Sequence, residues 1–203
     1  TNASRAPHMV VKNELKPECK DTTWMHKSYY GESMKKVVQT YVTKCLAKGW
    51  IRPASDTRYL SRLVLVRKPG HADPITGKIS EPTFRCCIDL RTHNSVTRPI
   101  KMQLTSVESI FANLPNEARY VHVVDYASGF FSVLLDDSKE NGPSSQDLCS
   151  FACHAGNFSW VALSMGATQS PSAFCTAVAT FLNSMGLCAG DLSLKDTKMT
   201  PEG

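Results

Sequence analysis

The sequence predicts an α+β fold, and three observations carry that prediction. Apolar residues recur at three and four positions over 32–48 and again after Ser170, the mark of amphipathic helices. Short β-branched and aromatic runs stand in pairs joined by turn residues, the mark of hairpins. The elements then follow as helix, hairpin, helix, strand, strand, hairpin, helix, without the strict alternation of a doubly wound parallel sheet. The chain has 203 residues, 42% hydrophobic and 20% charged. That composition supports a buried core and excludes disordered, collagen-like and coiled-coil chains.

Residues 1–31 are polar and irregular and read as an extended N-terminal arm. Their start, TNASRAPHMV, lacks the apolar core of a signal peptide. Over 32–48, Met34, Val37, Val38, Tyr41, Val42, Cys45 and Leu46 form a helical stripe that Gly49 stops. Leu63–Val66 is a strand, 69–83 a turn-rich connector, and Phe84–Leu90 the returning strand. Thr105-x-x-Glu108 is a capping box that opens a short helix. Tyr120–Val124 is a buried-looking strand ending on Asp125. Phe130–Leu135 is a second strand, followed by Asp136 and Asp137. Residues 138–147 form a loop, and 148–153 with 157–163 form a hairpin around Ala155-Gly156. Ser170-Pro171 caps and starts a helix whose stripe runs from Ala173 through Phe174, Ala177, Val178, Phe181 and Leu182 to a stop at Gly186. The tail 191–203 is polar.

Charge is uneven along the chain. Residues 1–101 carry 19 Lys and Arg against 8 Asp and Glu, whereas 102–203 carry 4 against 10. The net charge of +5 and the basic first half suit a nucleic-acid partner, or simply two solvated surfaces of opposite sign. From Leu148 to Gly190 no acidic or basic residue occurs. So long an uncharged stretch implies burial or a face that docks protein subunits. It holds no clean run of about 20 apolar residues, so no membrane span is expected. The eight cysteines show no disulfide spacing and read as reduced thiols of an intracellular, reducing compartment. Cys149-x3-Cys153-His154 has metal-ligand character but lacks a second pair at zinc spacing.

The chemistry concentrates at Val121–Phe130, VHVVDYASGF. A strand delivers one carboxylate, Asp125, to its end, and a small-residue turn and an aromatic follow. Phosphoryl transfer with paired Mg²⁺ needs acidic ligands at the rim of a rigid sheet. Asp also ends strands for plain backbone reasons. Three motifs occur in order: FRCCIDLRTHN (84–94), VVDYASGFFSVLL (123–135) and SMGATQSPSAF (164–174). With KGWIRPASD (48–56) and LVLVRKPG (63–70), they make the chain resemble the reverse transcriptases of retroviruses and long-terminal-repeat retrotransposons over roughly 32–187.

The resemblance implies a fingers-like region over 32–104 and a palm-like region over 105–190, with an antiparallel palm sheet backed by helices and no thumb. It implies that Asp125 is the first metal-binding and catalytic aspartate. Lys68 and Arg85 would contact the incoming nucleotide's phosphates, Phe130 would screen its sugar, and Met165 and Gly166 would lie against it. Lys68 and Arg85 also suit an edge strand, and Phe130 and Met165 a core. Mg²⁺ is the cofactor where activity is present.

The sequence departs from the family where Tyr-x-Asp-Asp should follow the Ser170 helix. The nearest match is Leu187–Leu194, with Gly190 in place of one aspartate and Asp191 as the remaining metal ligand. One carboxylate holds two divalent ions poorly. The expectation is a reverse-transcriptase-like domain used as a structural subunit of a larger assembly. The alternatives are a fingers–palm fragment of an active RNA-directed DNA polymerase and a nucleic-acid-binding module without catalysis.

Overall fold

The computed structural model describes residues 10–70, 83–100, 106–112, 114, 125–140 and 142–184. The strands are β1 (Val10–Val11), β2 (Trp24–Met25), β3 (Ile51–Pro53), β4 (Tyr59–Lys68), β5 (Thr83–Asp89), β6 (Leu134–Leu135), β7 (Ser150–Cys153) and β8 (Gly156–Trp160). The helices are α1 (Glu32–Ala47), α2 (Arg91–Val96), α3 (Val107–Ala112), α4 (Ser145–Leu148) and α5 (Ser170–Ser184). This is a mixed α+β architecture around one multi-stranded sheet.

Helix α1 follows its stripe. Val38, Val42 and Cys45, spaced at four and three, are its buried residues. Its end is a Schellman turn. Gly49 takes φ +64°, its N–H donates to the Leu46 carbonyl at 2.9 Å, and the Trp50 N–H donates to the Cys45 carbonyl at 3.0 Å. The turn aims Trp50 back at the core, where Phe131 lies 4.1 Å away ring to ring and itself stacks on Trp160 at 5.1 Å.

The main sheet runs β2–β4–β7–β8–β3, and β5 pairs with β4. It is mixed, and the antiparallel palm sheet expected over 105–190 is not settled by it, because that sheet's expected strand Tyr120–Val124 lies outside the described residues. β4–β5, β7–β8 and β3–β8 are antiparallel, but β2–β4 and β4–β7 are parallel. The long chain between β4 and β7 supplies the crossover that a parallel pair needs. One face of β4 and β5 closes on the core through Leu63, Leu65, Cys86 and Ile88, which pack with Val38, Val42, Phe151, Trp160 and Ala173. The segment before α1 is pinned at two places. Val10–Val11 pairs in parallel with Leu134–Leu135, and the buried Trp24 pairs with Tyr59 beside its own small cluster with Val96 and Leu148.

Several expectations change. Phe130–Leu135 is not a continuous strand. It opens with a 3₁₀ turn over Gly129–Ser132 and keeps two strand residues, Leu134 and Leu135. Adjacent rings are drawn to different partners there, Phe130 to Phe174 and Phe131 to Trp50 and Trp160. The 138–147 loop ends in α4, capped reciprocally by Ser144 and Asp147. Helix α2 has no apolar period to betray it. The helix expected after Thr105 is α3, where the Ser109 N–H donates to Ser106 Oγ at 3.1 Å. Thr105 itself, the strand Tyr120–Val124 and Gly186 lie outside the described residues. Among the described residues no helix is long and apolar enough to cross a membrane.

Candidate functional site

The β4–β5 hairpin has a second, open face. Side chains alternate across a strand and direct cross-strand partners share a face. The register therefore puts Arg62, Val64, Val66 and Lys68 on one side with Asp89, Cys87, Arg85 and Thr83. Lys68 and Arg85 are diagonal neighbours on that face, and both are exposed. Val64 and Val66 stand beside them 40% and 48% exposed, so the face combines cations with apolar surface. At its inner end Arg91 donates through Nε and Nη2 to the two Asp89 oxygens at 2.8 and 2.7 Å. The Arg91 hydrogen bonds hold the Asp89 carboxyl down to about 2, against an opposing push from burial.

The turn before α5 meets the same end of β5. Gly166 adopts φ +96°, and a Cβ added there would stand 3.8 Å from the Ile88 carbonyl oxygen. Asn94 Nδ2 donates to the Gly166 carbonyl at 2.9 Å, and the Thr168 N–H donates to Asn94 Oδ1 at 3.0 Å. Met165 at the tip is 54% exposed. Ile88 lies three strand residues from Arg85, about 10 Å, so Arg85 and the Met165–Gly166 turn flank one stretch of β5.

Asp125 and Phe130 approach through a different contact. Asp125 is exposed, and the turn behind it passes through Ser128 at φ +59°. A Cβ at Gly129 would meet the Phe174 ring of α5 at 2.5 and 2.8 Å. Glycine is what permits the close seat, and Tyr126 and Phe130 then set their ring edges against Phe174 at 6.2 and 5.4 Å. Phe130 is half-buried and also packs on the main core. Helix α5 thus carries the link between the two halves. The turn with Met165 and Gly166 leads into it, with Ser170 Oγ donating to the Ser164 carbonyl at 2.7 Å, and Phe174 receives the Asp125 turn.

Asp191 and Gly190 lie outside the described residues. Among the described residues no three His, Cys, Asp or Glu side chains come together to hold a metal. They give a divalent ion fewer protein ligands than a two-ion centre requires. Cys149, Cys153 and His154 diverge. Cys149 Sγ faces His93 Nε2 at 3.6 Å, Cys153 Sγ faces the Gly156 carbonyl at 3.5 Å, and the His154 ring meets Tyr30. The described cysteines are free thiols, and burial, aided by neighbouring thiols, pushes Cys86 up to about 11.

Two further residues hold the arrangement, Asn94 and Gln169. Gln169 Nε2 donates to Thr97 Oγ1 and to the Arg98 carbonyl, both at 3.0 Å. Both residues sit inside the quoted motifs, yet their partners lie about seventy positions away, a distance that spacing cannot reveal.

No family model matches the chain. It is 25% identical over 165 residues, 81% of its length, to the retrovirus-related Pol polyprotein from transposon opus of Drosophila melanogaster. It is 28% identical over 137 residues, 68% of its length, to the retrovirus-related Pol polyprotein from transposon gypsy of the same fly. Against the Gag-Pol polyprotein of Walleye dermal sarcoma virus it is 27% identical over 101 residues, half of its length. It spans 15%, 12% and 5% of the opus, gypsy and Walleye virus proteins respectively. The chain is a distant relative of retrotransposon and retroviral Pol polyproteins, and these matches support a Pol-derived domain.

Proposed function

We propose that the chain supplies the fingers and adjoining palm of a reverse-transcriptase-like domain, and that its described part holds nucleic acid and nucleotide against the open face of β4 and β5. One observation carries this reading: Arg62, Lys68 and Arg85 share a face with exposed Val64 and Val66, and the Met165–Gly166 turn is tied through Asn94 to α2, which follows the Asp89 end of β5. Spaced cations track a phosphate backbone, while apolar surface between them accepts the bases of a single strand. In this reading Arg85 and Lys68 engage phosphates, Met165 and Gly166 face the nucleotide, Phe130 stands under its sugar, and Asp125 is the family's first carboxylate. Mg²⁺ would be held by Asp125 and by Asp191, which lies outside the described residues.

The test is anisotropy of a labelled single-stranded oligonucleotide across a salt series. Removing one cation from a phosphate flattens the slope of log affinity against log salt by about 0.7 for single strands, so Lys68→Ala with Arg85→Ala should flatten it by about 1.4. Both side chains are exposed, so the fold should survive. An unchanged slope would count against the reading. Primer extension on an RNA template with Mg²⁺ addresses catalysis separately, and incorporation lost in Asp125→Asn would establish it.

A structural role in a larger assembly is a second reading. It is favoured by exposed apolar rings at α5: Tyr126, 47% exposed, set against Phe174, and Phe181, 42% exposed, seven residues further along the helix. Absence of incorporation together with co-purification in a stable complex fits this use of the fold.

A further inference from the structure

A polar chain crosses the protein from the N-terminal segment to the Met165–Gly166 turn. Asn13 is buried, and its backbone N–H donates to Ser145 Oγ at 2.6 Å. Its Nδ2 donates to Cys149 Sγ at 3.5 Å. The sulfur faces His93 Nε2 at 3.6 Å, and His93 Nδ1 stands 3.2 Å from Asn94 Oδ1. Asn94 then makes its two bonds to the turn, Nδ2 to the Gly166 carbonyl and Oδ1 from the Thr168 N–H.

The directions of these bonds are fixed from the turn inward. The Gly166 carbonyl can only accept, so it needs the Asn94 amide nitrogen. The Thr168 N–H can only donate, so it needs the Asn94 oxygen. That oxygen must then accept from His93 as well, which places a proton on Nδ1 and turns Nε2 toward the Cys149 sulfur. Burial pushes the imidazole pKa down, but Cys149 and Asn94 more than offset it, and the net direction is up. A flipped Asn94 would oppose N–H to N–H at Thr168 and oxygen to oxygen at Gly166, so the turn fixes the amide, and the amide in turn fixes the His93 tautomer that faces Cys149.

Cysteine, histidine and asparagine in a row also suggest a nucleophile. Cys149 and His93 are both 0% exposed, so no substrate reaches the sulfur. What the chain does control is its outer end. The Met165 tip has little packing of its own, and Gly166 sits at a φ that L residues avoid. The turn therefore depends on the hydrogen bonds that anchor it.

We propose that Asn94 is a positioning residue that latches the Met165–Gly166 turn to α2 at the Asp89 end of β5, its amide oriented by the turn and backed by the buried His93–Cys149 pair. The latch regulates how the turn meets a nucleotide, and that meaning rests on the nucleotide-facing reading above. Asparagine is required by the pattern of donors and acceptors. Aspartate would keep the acceptor for Thr168 and His93 but would set a carboxylate against the Gly166 oxygen. Alanine would lose both bonds.

The test compares the full chain with Asn94→Asp and Asn94→Ala by ¹³C-methyl methionine spectra, amide exchange at Thr168, and titration with dTTP, with far-UV circular dichroism as the fold control. In Asn94→Ala the Met165 methyl resonance should move and Thr168 should exchange roughly fivefold faster, the loss expected for one hydrogen bond of about 1 kcal/mol. In Asn94→Asp the resonance should move while Thr168 stays protected, a separation that general loosening would not produce. An unmoved Met165 resonance and unchanged Thr168 exchange in both folded variants would overturn the latch. If the latch responds as expected but the wild-type Met165 resonance ignores dTTP, the latch stands and the nucleotide-facing reading falls.

Discussion

Asp89 and Arg91 show how two neighbouring motif residues divide their work. The carboxylate side chain is 20% exposed and the guanidinium 89% exposed. Arg91 is thus held in place by Asp89 yet offers most of its surface to solvent, at the inner end of the open hairpin face. Because the Asp89 carboxyl is depressed to about 2, whatever stability it contributes is fully present above the ordinary aspartate value of about 3.9. That contribution fades as pH falls through about 2. An NMR titration of Asp89 should find its midpoint near 2 in the wild type and back toward about 3.9 in Arg91→Ala. An unmoved midpoint would show that the ion pair does not form in solution.

At the scale of elements, α1 ends as it does because Gly49 can adopt φ +64°. Gly49→Ala should destabilise the fold by about 1–2 kcal/mol, read as a lower denaturation midpoint with unchanged slope. This helix was legible in the sequence because its stripe and its stop are both local signals. The β7–β8 hairpin was legible for the same reason, its turn marked by Ala155-Gly156. Phe130–Leu135 was misread because an apolar run does not say which way each ring goes, and here Phe174 and Trp160 pull neighbours apart. Helix α2 was invisible because RTHNSV is held by distant partners, His93 by Cys149 and Asn94 by the turn before α5. The short α4 did carry a signal, the Ser144-x-x-Asp147 box, within a stretch too polar to suggest a helix. Lys68 and Arg85 could be named from their motifs, but their common face required the register.

The whole molecule is held together by residues far apart in the chain, and the basic half supplies much of the open face while the uncharged stretch supplies much of the core. Trp24 illustrates the dependence. It is buried, meets Tyr59 edge to face at 4.9 Å, and donates from Nε1 to Ser61 Oγ at 3.2 Å. Trp24→Ala should cost about 3–5 kcal/mol in chemical denaturation, the buried Ser61 hydroxyl adding to the loss. A cost within error of zero would mean that the segment before α1 is not seated as described. The seating of that segment also has a consequence for how the protein is made. Asn13 closes onto Ser145, 132 positions later. At a ribosomal pace of roughly 5–20 residues per second the first partner emerges on the order of ten seconds before the second. Through that interval Val10, Val11 and Asn13 have no seat to occupy, so the nascent chain cannot close in the order it is synthesised, and chaperone occupancy should be greatest until the 134–151 region has left the exit tunnel.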